Sequence, residues 1–277
     1  MLPIVLAAVS AVAFGTADFA GGKASRRANP IAVTVISQLL SVPLLVVLVL
    51  VVPGTPTVGD IGWGLLAGVA GAGGVMLLYR ALAGGMMAVV APVTAITAAV
   101  VPIIAGLFMA ASPGAPALTG AGLAVLAIAL VSLGQGGSRR AVPVRLVGLA
   151  LAAGALFGVF FTLLGQADES AGMWPVAAVR ASSIAFGLAL AAGTGVRLRI
   201  GRPVLGWAAV AGLLDSAANA LFVAAAARGH LSIVAAVTAL YPASTVLLAL
   251  AVDRERLRPV QIAGLGFAAG ALVLASL

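Results

Sequence analysis

Gly85-Met-Met-Ala-Val-Val-Ala-Pro-Val-Thr-Ala-Ile96 and Gly229-His-Leu-Ser-Ile-Val-Ala-Ala-Val-Thr-Ala-Leu240 are two copies of one pattern, set 144 residues apart. The same offset carries Gly62-Trp63 onto Gly206-Trp207, Ala67-Gly68 onto Ala211-Gly212, and Gly120-Ala-Gly122 onto Gly264-Leu-Gly266. Coincidences among Ala, Val, Leu and Gly are common in any apolar chain. Gly-Trp, Val-Thr-Ala and Gly-x-Gly matches falling in one order are not, so the chain is read as an internal duplication, with the first copy in residues 1–140 and the second in 141–277.

Working outward, the composition says what the two copies are made of. The 277 residues are 63% hydrophobic and 8% charged, with a mean hydropathy of +1.24, whereas ordinary soluble domains carry about a quarter charged residues. The chain is therefore read as polytopic in lipid. Breaks at charged, Gly and Pro-rich points give ten apolar segments: 3–22, 30–52, 61–83, 87–110, 117–135, 146–166, 174–192, 204–226, 231–251 and 259–276. Each is near the ~20 residues a membrane-spanning helix needs. The connections are too short for a soluble sensor or a soluble enzyme domain. The first segment lacks the basic n-region of a cleavable signal peptide and is expected to stay as a helix.

Ten segments put alternate loops on opposite faces. One face receives Lys23, Arg26, Arg27, Arg80, Arg139, Arg140, Arg145, Arg197, Arg199, Arg202, Arg254, Arg256 and Arg258, thirteen of the fifteen basic residues, while Arg228 falls on the other and Arg180 lies inside a segment. The positive-inside rule makes the basic face cytoplasmic and puts both termini outside the cytoplasm, in the cell inner (plasma) membrane. The net charge of +8 is thus an orientation signal and not a nucleic-acid footprint, which would need one solvated basic face.

Five segments per copy is an odd number, so the second copy enters the membrane in the opposite direction. Inverted repeats are a recurring construction of secondary transporters, with substrate held near the midplane between the copies. The expected fold is all-α, ten transmembrane helices in two inverted five-helix repeats.

Particular residues sharpen this. Tyr79-Arg-Ala-Leu82 precedes Gly85 and a Pro-containing fourth segment; the second copy runs from Gly229 through Tyr241-Pro242 to Asp253-Arg-Glu255-Arg-Leu257, Gln261 and Gly264. Over nearly the whole chain these features resemble the EamA-type family of the drug/metabolite transporter superfamily. The first copy departs from the pattern, with Ala111 where Glu255 aligns. The resemblance implies the ten-helix fold and export of small metabolites such as amino acids, sugars or nucleobases, or of drugs, by alternating access. It says little about which substrate.

Candidate site residues follow from what is costly in lipid. Pro43, Pro92, Pro102 and Pro242 each remove an intrahelical hydrogen bond; Pro92 and Pro102 in segment 4 and Pro242 in segment 9 occupy equivalent helices, so bends facing a central cavity are expected there. Asp215 lies near mid-depth of segment 8, with Asn219 one turn on, and Arg180 inside segment 7. A charge at such depth costs about 2.5–3.5 kcal/mol on insertion scales. Two readings stand for Asp215: a structural ion pair with Arg180, or a substrate and proton site coupling transport to protons. Asp18, about a turn from the end of segment 1, is read as snorkelling or loop-paired as readily as functional. Gln38, Thr94, Thr97, Thr238 and Tyr241 are candidate path-lining groups, although Thr in membrane helices often bonds its own backbone. Tyr79, Trp63, Trp174 and Trp207 near segment ends read as an interfacial aromatic belt, and Arg80 as an interface anchor.

The chain has no Cys and one His, His230, so thiolate chemistry and a Cys or His metal cluster are excluded, and no cofactor or metal is expected. No HExxH, GxSxG or Walker A motif occurs, and the Gly-x-Gly pairs open apolar helices without a preceding strand. The expectation is a transporter and not an enzyme, working as a monomer on a small-molecule substrate, with protons as the candidate coupling ion; the alternative is a membrane scaffold or a lipid-modifying enzyme.

Overall fold

In the computed structural model, residues 2–108, 143–226, 241–254 and 259–275 are described, together with positions 119, 123, 126, 130, 228, 237 and 238. Among them the chain forms nine α-helices: α1 (Leu2–Ser25), α2 (Pro30–Val51), α3 (Val58–Ala83), α4 (Met87–Phe108), α5 (Val144–Leu164), α6 (Trp174–Thr194), α7 (Arg202–Ala226), α8 (Pro242–Val252) and α9 (Pro259–Ala275). A single 3₁₀ turn, Glu169–Ala171, lies between α5 and α6. No strand occurs among the described residues, as expected of a chain whose backbone polar groups must be satisfied within lipid. Six helices, α1, α2, α3, α5, α6 and α7, are long and apolar enough to span a bilayer. The fifth expected segment (117–135) and the first half of the ninth lie, isolated positions apart, outside the described residues.

Helix ends explain where the sequence-based boundaries move. Asn29 caps α2, its Oδ1 accepting from the Ile31 N–H at 2.9 Å, with Pro30 at the first helical position. α3 starts three residues before the expected boundary because Thr57 and Asp60 form a reciprocal capping box: Thr57 N–H donates to Asp60 Oδ2 at 2.8 Å and Asp60 N–H to Thr57 Oγ1 at 3.2 Å. α1 runs to Ser25, carrying Lys23 in its last turn, where a cation suits the negative helix end. The two-glycine break between segments 3 and 4 is a sharp turn. Gly85 and Met86 both take left-handed φ, 83° and 58°, a region glycine enters freely and methionine rarely.

Packing repeats across the 144-residue offset. α1 packs on α7 as α3 packs on α5, α2 on α7 as α3 on α6, and α1 on α8 as α4 on α5. Gly68 and Gly212, one offset apart, are both closest-approach points: a Cβ on Gly68 would overlap Ser182 and the Val179 carbonyl of α6, and one on Gly212 the Ser37 carbonyl of α2. Likewise Gly154 and Gly158 of α5 lie against Thr94, Thr97 and Val101 of α4, while Gly15 of α1 lies against Tyr241, Ser244 and Thr245. Small residues at these crossings let backbones approach where lipid supplies no hydrophobic drive to association. Hydroxyls tie the contacts: Ser10 Oγ to Ala218 O (2.8 Å), Ser183 Oγ to Gly68 O (2.8 Å), Thr245 Oγ1 to Gly15 O (2.9 Å) and Thr94 Oγ1 to Ala150 O (3.2 Å).

Among the described residues a large buried cluster joins Phe19, Val33, Leu78, Tyr79, Leu82, Met87, Val89, Val90, Val93, Leu146, Val204 and Val246, drawn from α1, α2, α3, α4, α5, α7 and α8. Outward-facing Val9, Val12, Val46, Val47, Leu50, Leu65, Leu66 and Leu213 are exposed. So much apolar surface on a soluble protein would be a liability; here it faces acyl chains.

Candidate functional site

The polar centre is built on α6 and α7 and approached from α1, α2 and α3. Arg180, the seventh residue of α6, and Asp215, midway along α7, sit inside apolar spans where neither charge is stable alone. They pair: Arg180 Nη2 donates to Asp215 Oδ2 at 2.7 Å and to Ser216 Oγ at 3.0 Å. Burial is unequal. The Arg180 side chain is 8% exposed and that of Asp215 35%. A carboxylate so accessible at mid-helix faces either lipid or a polar interior space, and the cost of the first favours the second. Arg180 Nε is buried with no hydrogen-bond partner among the described residues.

Asn219 shares the Asp215 face, one turn along, and its Nδ2 donates to the Asp215 carbonyl oxygen at 2.8 Å. Asp18 faces the same region from α1, its carboxylate within electrostatic reach of Asp215 and of the Tyr79 and Tyr241 phenols. It has no ion-pair or hydrogen-bond partner among the described residues. Tyr79 is in reach of Asp18, Asp215 and Arg180 alike, and Tyr241 packs its ring on Phe14, centroids 6.3 Å apart. Two carboxylates, one guanidinium and two phenols are thus linked by the electrostatics of this region.

Gln38 enters from α2. Its neighbour Ser37 meets Gly212, three residues before Asp215, and Gln38 itself is buried with Oε1 unpartnered, as is Thr34 Oγ1 one turn earlier. Buried polar atoms without partners are uncommon; three of them, on α2 and α6, lie on helices that pack against each other. Thr94 and Thr97 are placed elsewhere. Thr94 is committed to α5 through Ala150, and Thr97 donates to its own helix at Val93 O (2.7 Å) while packing on Gly154. Thr238 is buried with its hydroxyl unpartnered among the described residues, and its carbonyl accepts from Tyr241 N–H at 3.0 Å. Pro92 and Pro102 lie within α4, and Pro43 within α2. Pro242 is the first residue of α8, where a missing N–H costs nothing.

The model of the EamA-like transporter family matches the chain twice, over residues 1–133 and 145–277, one match per copy. The chain belongs to the EamA-like transporter family. This makes the EamA-like chain a multi-pass membrane protein of a transporter family within the drug/metabolite transporter superfamily. No curated protein matches it.

Two sequence-based readings of this EamA-like chain are corrected. Asp18 is not at a helix end: α1 continues to Ser25, leaving Asp18 seven residues, about 10 Å at 1.5 Å per residue, inside the helix. Tyr79 is not in an aromatic belt, because it is buried with its ring where a Cβ on Gly21 would stand. Trp63 and Trp174 are exposed near helix starts and fit the belt, and Arg80 is exposed at the end of α3. Sequence reading passed over the role of Asp253. It is the carboxylate that holds Lys23 and, at 2.7 Å, Arg26, joining the ends of α1 and α8. The pairing gave no signal in the sequence, since Lys23 and Asp253 lie 230 residues apart. Glu255, Gly229, His230, Ala111, Arg139 and Arg140 lie outside the described residues.

Proposed function

We propose that the chain is a secondary transporter that exports small metabolites, such as amino acids, or drugs, by alternating access between two inverted five-helix repeats, residues 1–140 and 141–277, as a monomer in the plasma membrane with both termini outside the cytoplasm. The observation that carries this is the polar centre: Arg180, Asp215 and Asp18 lie inside apolar helices, and those helices, α1, α6 and α7, come from both copies. Family membership and the packing repeated across the offset support the alternating-access architecture.

In this reading Asp215 is held by Arg180 as a fixed anion, and Asp18, which has no cation of its own, exchanges a proton or a cationic group of the substrate. Gln38, Asn219, Thr238 and Tyr241 supply neutral contacts. Proton coupling then runs through Asp18, with Asp215 and Arg180 setting the field around it. The test is flux by purified protein in liposomes against a metabolite panel, with and without a pH gradient. Saturable flux of at least one panel member, altered by the gradient in the unmodified protein and no longer altered by it in Asp18→Asn, is the expected result. Folded, monodisperse protein that moves nothing in the panel under either condition would favour a scaffold.

A further inference from the structure

A second polar feature lies at the end of the bundle where α1 and α8 finish and α7 begins, away from the Arg180–Asp215 pair. A cavity of about 330 Å³ is lined there by Lys23, Arg26, Arg27, Trp207 and Val252. Lys23 and Arg26 share the single carboxylate of Asp253. Arg27 is exposed, and its side chain has no partner among the described residues. The lining thus brings three cations together beside the Asp253 carboxylate.

The walls say what kind of anion. Trp207 meets Phe19 edge-on with centroids 6.4 Å apart, and the Lys23 ammonium lies 5.6 Å from the Phe19 ring, so an aromatic floor fixes one cation while the Arg27 guanidinium stays available. Guanidinium forks match phosphate oxygens. Val252 on the rim is exposed, as is Leu205 two residues before Trp207, so apolar surface continues outward from the basic pocket. We propose that this pocket binds the phosphate monoanion of an anionic phospholipid headgroup, with the acyl chains running over the exposed apolar face of α7 and α8. Basic pockets between membrane helices are suited to such headgroups. Because Lys23 and Arg26 already join α1 to α8 through Asp253, a lipid seated here would bridge Arg27 to the same junction.

The experiment measures lipid retention and thermal stability of the full chain purified in neutral detergent, with phosphatidylglycerol, phosphatidylcholine or millimolar inorganic phosphate added. Native mass spectrometry should show phosphatidylglycerol retained and phosphatidylcholine lost, with the thermal midpoint raised by phosphatidylglycerol and unmoved by inorganic phosphate. Arg27→Ala should weaken phosphatidylglycerol retention about fivefold, the worth of one basic contact at a membrane surface, while Arg80→Ala, which removes an exposed cation at the end of α3, should not. Equal weakening by both variants would mean non-specific charge attraction, and no weakening by Arg27→Ala would remove the pocket from the account. Stabilisation by inorganic phosphate equal to that by phosphatidylglycerol would make it a free-anion site and overturn the lipid assignment.

Discussion

Asp18 and Asp215 are both carboxylates in apolar helices, yet their surroundings give them different work. Asp215 is answered at 2.7 Å by Arg180, whereas Asp18 has, among the described residues, the phenols of Tyr79 and Tyr241 and the like charge of Asp215 within electrostatic reach. Asp18→Asn removes a charge without breaking a hydrogen bond. It is therefore expected to leave the thermal midpoint in detergent unchanged while abolishing the response of liposome flux to a pH gradient; flux and pH response both unaltered would remove Asp18 from the site. Asp215→Asn keeps an acceptor for Arg180 but loses the charge. A fully buried pair broken on one side costs about 3–5 kcal/mol, and since Asp215 is 35% exposed and Asn still accepts, the expected loss is on the order of 1–2 kcal/mol, read as a lower thermal midpoint together with lost transport. Asp215 and Arg180 were legible in the sequence because a charge within an apolar run stands out by itself. Asp18 and Tyr79 were not, because their place in the sequence, near the end of a run, resembles an interface, and only the extension of α1 to Ser25 and the contact of Tyr79 with Gly21 moved them inward.

Helix-scale features were readable to the extent that they are local. Asn29-Pro30 and Thr57-x-x-Asp60 carry their cap chemistry in adjacent residues; Asn29→Ala is expected to cost about 1 kcal/mol, seen as a lower thermal midpoint with transport retained. Close approach is different, since Gly68 and Gly212 look like any other glycine among 35. Gly212→Val is expected to force α2 and α7 apart at Ser37, costing about 1–3 kcal/mol and lowering transport, whereas Gly206→Val, at a position with open space around its Cβ direction, should be silent in both assays. Where α2 turns into α3 and α5 into α6, the two connections are fastened to each other: Thr55 N–H donates to Ser170 O at 2.9 Å and Asp168 N–H to Asp60 Oδ1 at 2.8 Å. Hydrogen bonds from the Ser170 backbone N–H and hydroxyl hold the Asp168 carboxyl below its ordinary range. A depressed folded-state value means the stabilisation is present above the unfolded value of about 3.9 and is lost as pH falls through the folded one. Asp168→Asn should accordingly flatten the fall in thermal midpoint below about pH 4; a fall as steep as that of the unmodified protein would show that this carboxylate contributes nothing to it.

At the scale of the molecule, the proposed topology divides the basic residues between faces. A cysteine introduced beside Arg199, between α6 and α7, is expected to resist an impermeant reagent in intact cells, and one beside Asp168, between α5 and α6, to react; labelling in the reverse sense would invert the proposed topology. The sequence by itself determined that the chain is a duplicated, all-helical membrane protein of a transporter family, because hydropathy, charge asymmetry and repetition are properties of residues in order and need no knowledge of who touches whom. What only the tertiary structure decided is which groups meet. Arg180 reaches Asp215 across 35 residues and Lys23 reaches Asp253 across 230, and Asp18 is brought before Asp215 by the packing of α1 on α7. Such partners are selected by the crossing of helices, and crossings in lipid are set by backbone approach at small residues such as Gly15, Gly68 and Gly212, a steric property of two surfaces together that neither surface records in its own sequence.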